Sequence, residues 1–150
     1  MMRLDEYLSK DLIIHEISAS TKEEVLAELV NAVCRAHPEV DGRAALKVLH
    51  EREQLGTTGI GDGIAIPHGK LSDLGRIVLS VGRSSAGFGF DSLDGKPVHI
   101  VFLVLAPEHV AGMHLRVLAH ISRLLKDVAF RRALIEAPDA NAMWELLSKA

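Results

Sequence analysis

Residues 98–106, Val-His-Ile-Val-Phe-Leu-Val-Leu-Ala, constrain the fold more than any other stretch of the chain. The run is apolar except at His99 and rich in β-branched side chains. It is about half the ~20 residues that a membrane-spanning helix requires. Such a run reads as a buried strand, and residues 77–81 read the same way. Helices to cover a buried sheet lie on both sides of it in sequence. Val25, Leu26, Leu29, Val30 and Val33 repeat at helical spacing behind Ser20 and Glu23, which have capping-box spacing, and the pattern ends before Pro38. Asp41 can cap a second helix that carries Ala44, Ala45, Val48 and Leu49 toward Gln54. Beyond Pro107, Leu115, Leu118, Ile121, Leu124 and Leu125 form one stripe. Phe130, Leu134 and Ile135 predict a short helix that stops before Pro138, and Ala142, Met143, Leu146 and Leu147 a last one. Residues 12–17 are expected to form a short strand, and Asp94-Gly95 is expected to turn the chain between residues 88–93 and the strand at 98. Helices at both ends of a central sheet predict an α/β fold, with residues 1–150 as one unit.

Composition removes several function classes. The chain has 150 residues, with 17 Lys plus Arg against 20 Asp plus Glu and a formal net charge of −3. It therefore lacks the basic footprint of a nucleic-acid binder. Cys34 is the only cysteine, so no intrachain disulfide can form and a reducing compartment is expected. Residues 1–10 alternate charged and apolar side chains with no apolar signal core behind them, which predicts a cytoplasmic location without membrane insertion. The surplus is in histidine, with eight in the chain, and imidazole is the side chain best suited to proton, metal or phosphoryl chemistry near neutral pH.

Several motifs almost match. Gly59-Ile60-Gly61-Asp62-Gly63-Ile64 begins like a dinucleotide fingerprint, but Ile64 stands at its sixth position and a β-type run follows where a helix should open. Gly63 and Gly69-Lys70 miss the phosphate-loop spacing by one residue, with Leu71 in place of the Ser or Thr. Gln54 replaces the second imidazole that would make His50-Glu51-Arg52-Glu53-Gln54 a zinc-protease helix. His114 and His120 would point about 120° apart on a helix, and no Gly-x-Ser-x-Gly occurs. Neither a metal nor a cofactor is expected.

What remains is the segment 59–70. It reads as a glycine loop, a short buried strand Ile64-Ala65-Ile66, and then His68 at the strand's exit. Pro67 fixes the chain direction, and Gly69 removes bulk beside the imidazole so that a partner can approach. A neutral imidazole with one nitrogen hydrogen-bonded keeps a lone pair on the other and can act as a nucleophile. The same residues also describe a turn histidine after an edge strand. Residues 59–71, Gly-Ile-Gly-Asp-Gly-Ile-Ala-Ile-Pro-His-Gly-Lys-Leu, resemble the phosphorylation-site motif of the enzyme IIA domains of the bacterial phosphoenolpyruvate-dependent sugar phosphotransferase system. The branch is the fructose/mannitol type, closest to its nitrogen-regulatory members. Arg52-Glu53-Gln54-Leu55-Gly56-Thr57-Thr58-Gly59 resembles the Arg-Glu segment that leads into the motif. Residues 107–118, with His114-Leu115, resemble the helix start that carries the second active-site histidine.

The resemblance implies a mixed five-stranded sheet with helices on both faces, and a protein that accepts a phosphoryl group. By position, His68 would be phosphorylated, His114 would be its neighbour, and Arg52 would steady the phosphate, with Thr57, Thr58, Gly59 and the loop amides to Gly63 as further donors. A phosphoryl group brings about −1.5 to −2 charge, and a guanidinium fork matches its oxygens. The implied partners are a histidine-containing phosphocarrier as donor, and downstream regulated proteins or a separate IIB component as receivers. Transporter helices, a IIB cysteine motif and a fused phosphocarrier are missing from the sequence, which favours regulation by phosphorylation state over sugar import. A pure interaction module on the same fold is the other reading. Asp62 departs from an easy fit, since it sets a negative charge in the loop that phosphate would approach. His120 is expected on a solvated face and Trp144 in the core, and His15, His37, His50, His99 and His109 receive no role.

Overall fold

The structure, a computed structural model, describes residues 2–150; Met1, the first residue of the expected 1–150 unit, lies outside them. Six strands make one mixed sheet: β1 (Ile13–Ile14), β2 (Gly59–Gly61), β3 (Ile64–Ala65), β4 (His68–Leu71), β5 (Val78–Phe88) and β6 (Val98–Pro107). The apolar run of residues 98–106 lies in β6, and residues 100–106 expose no surface. β5 pairs with it antiparallel on one side, while β3 and β4 both pair with it parallel on the other. The sheet has one strand more than the five implied by the resemblance, because the segment 64–71 breaks in two. Pro67 has no N–H to give the ladder, while the Ile66 N–H faces the β2 side by alternation and bonds the Thr58 carbonyl at 3.0 Å. Val104 N–H picks up the Pro67 carbonyl at 2.9 Å, and pairing with β6 resumes at His68.

Five helices follow the expected order: α1 (Lys22–Ala36), α2 (Gly42–Leu55), α3 (Ala111–Lys126), α4 (Val128–Glu136) and α5 (Ala140–Leu147). Alternation along β5 shows how they are layered. Gly82 faces α1, where an added Cβ would sit 2.8 Å from Ile17 Cδ1 and 3.2 Å from Leu29 Cδ2. The next residue, Arg83, points the other way and donates to the Ile135 and Ala137 carbonyls at the end of α4, at 2.6 and 3.2 Å. Helices α1 and α2 pack together on the first face, and α3, α4 and α5 cover the second.

Local details differ from the sequence expectation in five places. The cap of α1 is Thr21, which accepts from Glu24 N at 3.3 Å, one residue beyond the expected Ser20 and Glu23 pair. Asp41 caps α2 as expected, accepting from the amides of Arg43 and Ala44 at 3.0 and 3.1 Å. Within residues 12–17 only Ile13–Ile14 is strand. Strand β5 ends at Phe88, and the turn at Asp94-Gly95, closed by Gly95 N–H on the Ser92 carbonyl at 2.9 Å, sits inside a longer connection. The buried face of α3 is His114, Val117, Ile121 and Leu125, whereas Leu115 is 68% exposed. Trp144 packs partly buried against the core.

Candidate functional site

After Pro67 the side chains of β4 alternate between the two helix layers. Gly69 faces α2, and a Cβ there would lie 2.8 Å from Val48 Cγ2, so the missing side chain makes room for the helix and not for a partner. His68 faces α3, where its ring meets His114 edge-on with centroids 5.7 Å apart and planes at 78°. His68 Nδ1 lies 2.8 Å from the Ile66 carbonyl oxygen. A carbonyl only accepts, so Nδ1 carries the proton and Nε2 keeps its lone pair. The ring lines an open cleft of about 700 Å³ together with Arg52, Leu55, Lys70, His114 and Leu115.

Both imidazoles are held neutral near neutral pH. Burial pulls the His68 pKa below 6.5; the bond to Ile66 opposes this, Arg52 adds to it, and Glu53 opposes it. His114 is 4% exposed, and its Nε2 is buried without a hydrogen-bond partner. Burial first, then the positive charges of a protonated His68 and of Lys70, bring the His114 pKa down from 6.5 to about 4. Arg52 stands in the last turn of α2 and donates through Nη1 to the Gly56 carbonyl at 2.8 Å, which folds the guanidinium over the helix end at the cleft. Lys70 shares the face of His68 by the two-residue repeat of a strand. Sequence reasoning gave it no role, although that spacing was the available signal.

The structure thus brings His68, His114 and Arg52 into one cleft, but not Thr57, Thr58 and Gly59. Thr57 Oγ1 donates to the Phe90 carbonyl at 2.9 Å and accepts from Gly59 N at 3.0 Å. Thr58 donates to the Glu53 carboxylate through both its amide, at 3.1 Å, and its hydroxyl. The two threonine hydroxyls and the amides of Thr58 and Gly59 are thus taken by acceptors within the protein and brace the loop, where they were expected to face a phosphate. Asp62 also stays clear of the cleft. It adopts φ 57° in the turn between β2 and β3, a conformation Asp tolerates, and lines a separate groove with Val128, Arg131 and Arg132. Glu53, with a side chain only 6% exposed, stands in the Arg-Glu segment noted in the sequence but was given no role there.

Other histidines have structural partners. His99 Nδ1 is 2.8 Å from the Ser84 carbonyl, His15 Nε2 is 2.8 Å from Arg83, and His37 Nδ1 is 3.2 Å from Arg76. His120 is partly buried with Nε2 shut in, and not on the fully solvated face expected. Among the described residues no group of three or more His, Cys, Asp or Glu could hold a metal ion. Nor is any helix long and apolar enough to cross a membrane.

Residues 6–150 match the family model described as phosphoenolpyruvate-dependent sugar phosphotransferase system, EIIA 2. The chain belongs to that family. A nitrogen regulatory protein of Bradyrhizobium diazoefficiens is 37% identical over 147 residues, covering 98% of this chain and 95% of that protein. A fructose-specific EIIABC component of Bacillus subtilis is 35% identical over 148 residues, covering 99% of this chain but 23% of that longer protein. Among solved structures, the nitrogen regulatory protein IIA-Ntr of Neisseria meningitidis superposes with a TM-score of 0.88 at 30% identity, over 95% of this chain and 97% of that one. The EIIA fold accounts for the mixed sheet between two helix layers, and so for the placing of an edge-strand histidine against α3.

Proposed function

We propose that this EIIA-family chain accepts a phosphoryl group on His68 Nε2 from a histidine-containing phosphocarrier and acts through its phosphorylation state. One observation carries the reading: the Nδ1–H bond to the Ile66 carbonyl leaves the Nε2 lone pair at an open cleft. In the step, that lone pair attacks phosphorus as the nitrogen–phosphorus bond of the carrier breaks. The carrier's phosphorylated ring enters protonated on its other nitrogen, so it leaves as a neutral imidazole and no proton has to move. The positive charge passes to the His68 ring, where the Ile66 carbonyl stabilises it. The incoming charge meets Arg52 and Lys70, and the unpartnered Nε2 of His114 gains a phosphoryl oxygen to donate to. Most of the catalysis is then positioning and charge stabilisation. Leu55 and Leu115, 85% and 68% exposed, stand at the cleft and offer the carrier apolar contact.

The likeness to nitrogen regulatory proteins along nearly their whole length favours a regulatory role with downstream protein partners, in the cytoplasm where such carriers act. Incubation with enzyme I, the phosphocarrier and labelled phosphoenolpyruvate tests it. Acid-labile label should appear, be lost in His68→Ala and survive in His109→Ala, an exposed site. An unlabelled wild type would leave only an interaction module. Label that moves on to a cysteine of a IIB component would mark the chain as a sugar-import relay.

A further inference from the structure

We infer that Glu53, held by Lys22, is a positioning residue that sets which ring nitrogen of His68 keeps its lone pair. The inference rests on the phosphoryl-accepting reading of His68 and adds what prepares the nucleophile. A continuous chain of bonds runs to it. Lys22 Nζ lies 2.9 Å from Glu53 Oε1. The Glu53 carboxylate accepts from the amide and the hydroxyl of Thr58. The Thr58 carbonyl accepts from Ile66 N–H at 3.0 Å, and the Ile66 carbonyl accepts from His68 Nδ1 at 2.8 Å.

Ile66 is the weak link that makes the other residues matter. By strand alternation its N–H and C=O face away from β6, which instead bonds the carbonyls of Gly63 and Pro67 on either side of it. The direction of its carbonyl therefore depends on Thr58, and Thr58 depends on Glu53. The carboxylate is almost fully buried and its main countercharge comes from α1, where Lys22 also lies 4.5 Å from the Phe90 ring centre. A buried ion pair contributes little net stability over apolar packing, so its grip on a buried loop amide is the better account of it. Consecutive residues in the last turn of α2 divide the work: Arg52 reaches the cleft and Glu53 holds the loop behind the nucleophile.

Without the carboxylate, the Thr58 amide and hydroxyl lose their partner, the Thr58 carbonyl loosens its hold on the Ile66 N–H, and rotation about the Ile66 backbone can turn its carbonyl away from His68. His68 then populates the form protonated on Nε2, which has no lone pair to attack phosphorus. The active fraction falls, and the transfer rate falls with it, while carrier docking at the cleft rim is untouched.

The test uses the full chain with ¹⁵N-labelled histidine, whose ring signals distinguish Nδ1–H from Nε2–H, together with the transfer rate from phosphorylated carrier. Wild type should show Nδ1–H. Glu53→Ala should show a mixture and transfer roughly tenfold slower at an unchanged half-saturating carrier concentration. Glu53→Gln, which keeps an oxygen for Thr58, should restore the wild-type ring form. Glu145→Gln, which breaks the exposed pair with Lys149 on α5, should change neither readout. A folded Glu53→Ala with pure Nδ1–H His68 overturns the inference. If Glu53→Ala does not fold, Glu53→Asp withdraws the carboxylate by one methylene; a partial shift supports the inference and an unmoved ring form overturns it. The ring signals need no phosphate, so a wild type that takes no label refutes the phosphoryl-accepting reading while the bond chain is still judged by its own measurement.

Discussion

Removing the His114 ring should flatten the loss of stability on acidification. In the folded protein its pKa lies near 4, because the ring is buried and faces His68 and Lys70. In the unfolded chain the value returns to about 6.5. Above pH 6.5 the ring is neutral in both states and stability does not depend on it. Between pH 6.5 and 4 the unfolded chain binds a proton that the folded chain refuses, so every step down favours unfolding. Below pH 4 both states are protonated and the loss is complete. At ~1.4 kcal/mol for each pH unit between the two values, the full loss is about 3 kcal/mol, of which about 2 kcal/mol has accrued by pH 5. His68, also lowered by burial, adds to the slope in the same sense. Urea unfolding of wild type and His114→Gln at pH 7.5, 6 and 5 isolates the ring, since the carboxylates common to both proteins cancel in the difference. The variant should lose about 2 kcal/mol less than wild type over that range. Parallel stability curves would refute the claim that burial keeps His114 neutral. In the phosphorylated protein the group on His68 would draw the His114 pKa upward, so the wild-type slope should shrink toward that of the variant.

Three further outcomes test other parts of the structure. Arg52→Ala removes charge-assisted donors worth about 1.5–3 kcal/mol at the phosphoryl group; labelling of His68 should slow by roughly 10- to 100-fold with an unchanged unfolding midpoint, and a wild-type rate would exclude the assigned role. Arg83→Met strips the Ile135 and Ala137 carbonyls and His15 of their donor and should cost about 3 kcal/mol in urea unfolding, with labelling of the folded protein preserved. Gly69→Ala places a Cβ 2.8 Å from Val48 Cγ2, which should cost about 1–3 kcal/mol, and adding Val48→Ala should recover most of it if the clash is the cause.

Elements whose signal is local were legible in the sequence: the apolar run of β6, the periodic helices and the Asp41 cap all depend on neighbours a few residues away. Where two registers fit equally well, tertiary packing chose between them. Ser20 and Thr21 both stand three residues before a glutamate, and the cap formed on the second. Leu115 fits the apolar stripe of α3, yet the sheet beneath takes His114 and leaves Leu115 at the cleft. Pairs far apart in sequence, Lys22 with Glu53 and Arg83 with His15, leave no local pattern at all.

The candidate site shows the same division, with one residue at its hinge. His68, His114 and Arg52 came from a resemblance, while their local sequence left His68 undecided between a nucleophile and a turn residue. The bond that separates those readings spans only two residues, yet side-chain periodicity cannot predict it, because it turns on which way a backbone carbonyl faces. Ile64 pairs with Ile100 and His68 with Val104, so one register on β6 runs through the whole segment. Gly63 and Pro67 give their carbonyls to β6, and by alternation the Ile66 carbonyl faces the other way, where it takes the Nδ1 proton of His68. The register beneath His68 is therefore as much a part of the nucleophile as the ring. Pro67→Ala should leave that register and the Nδ1–H form of His68 in place, and ¹⁵N ring signals that move to the Nε2–H form would refute this account.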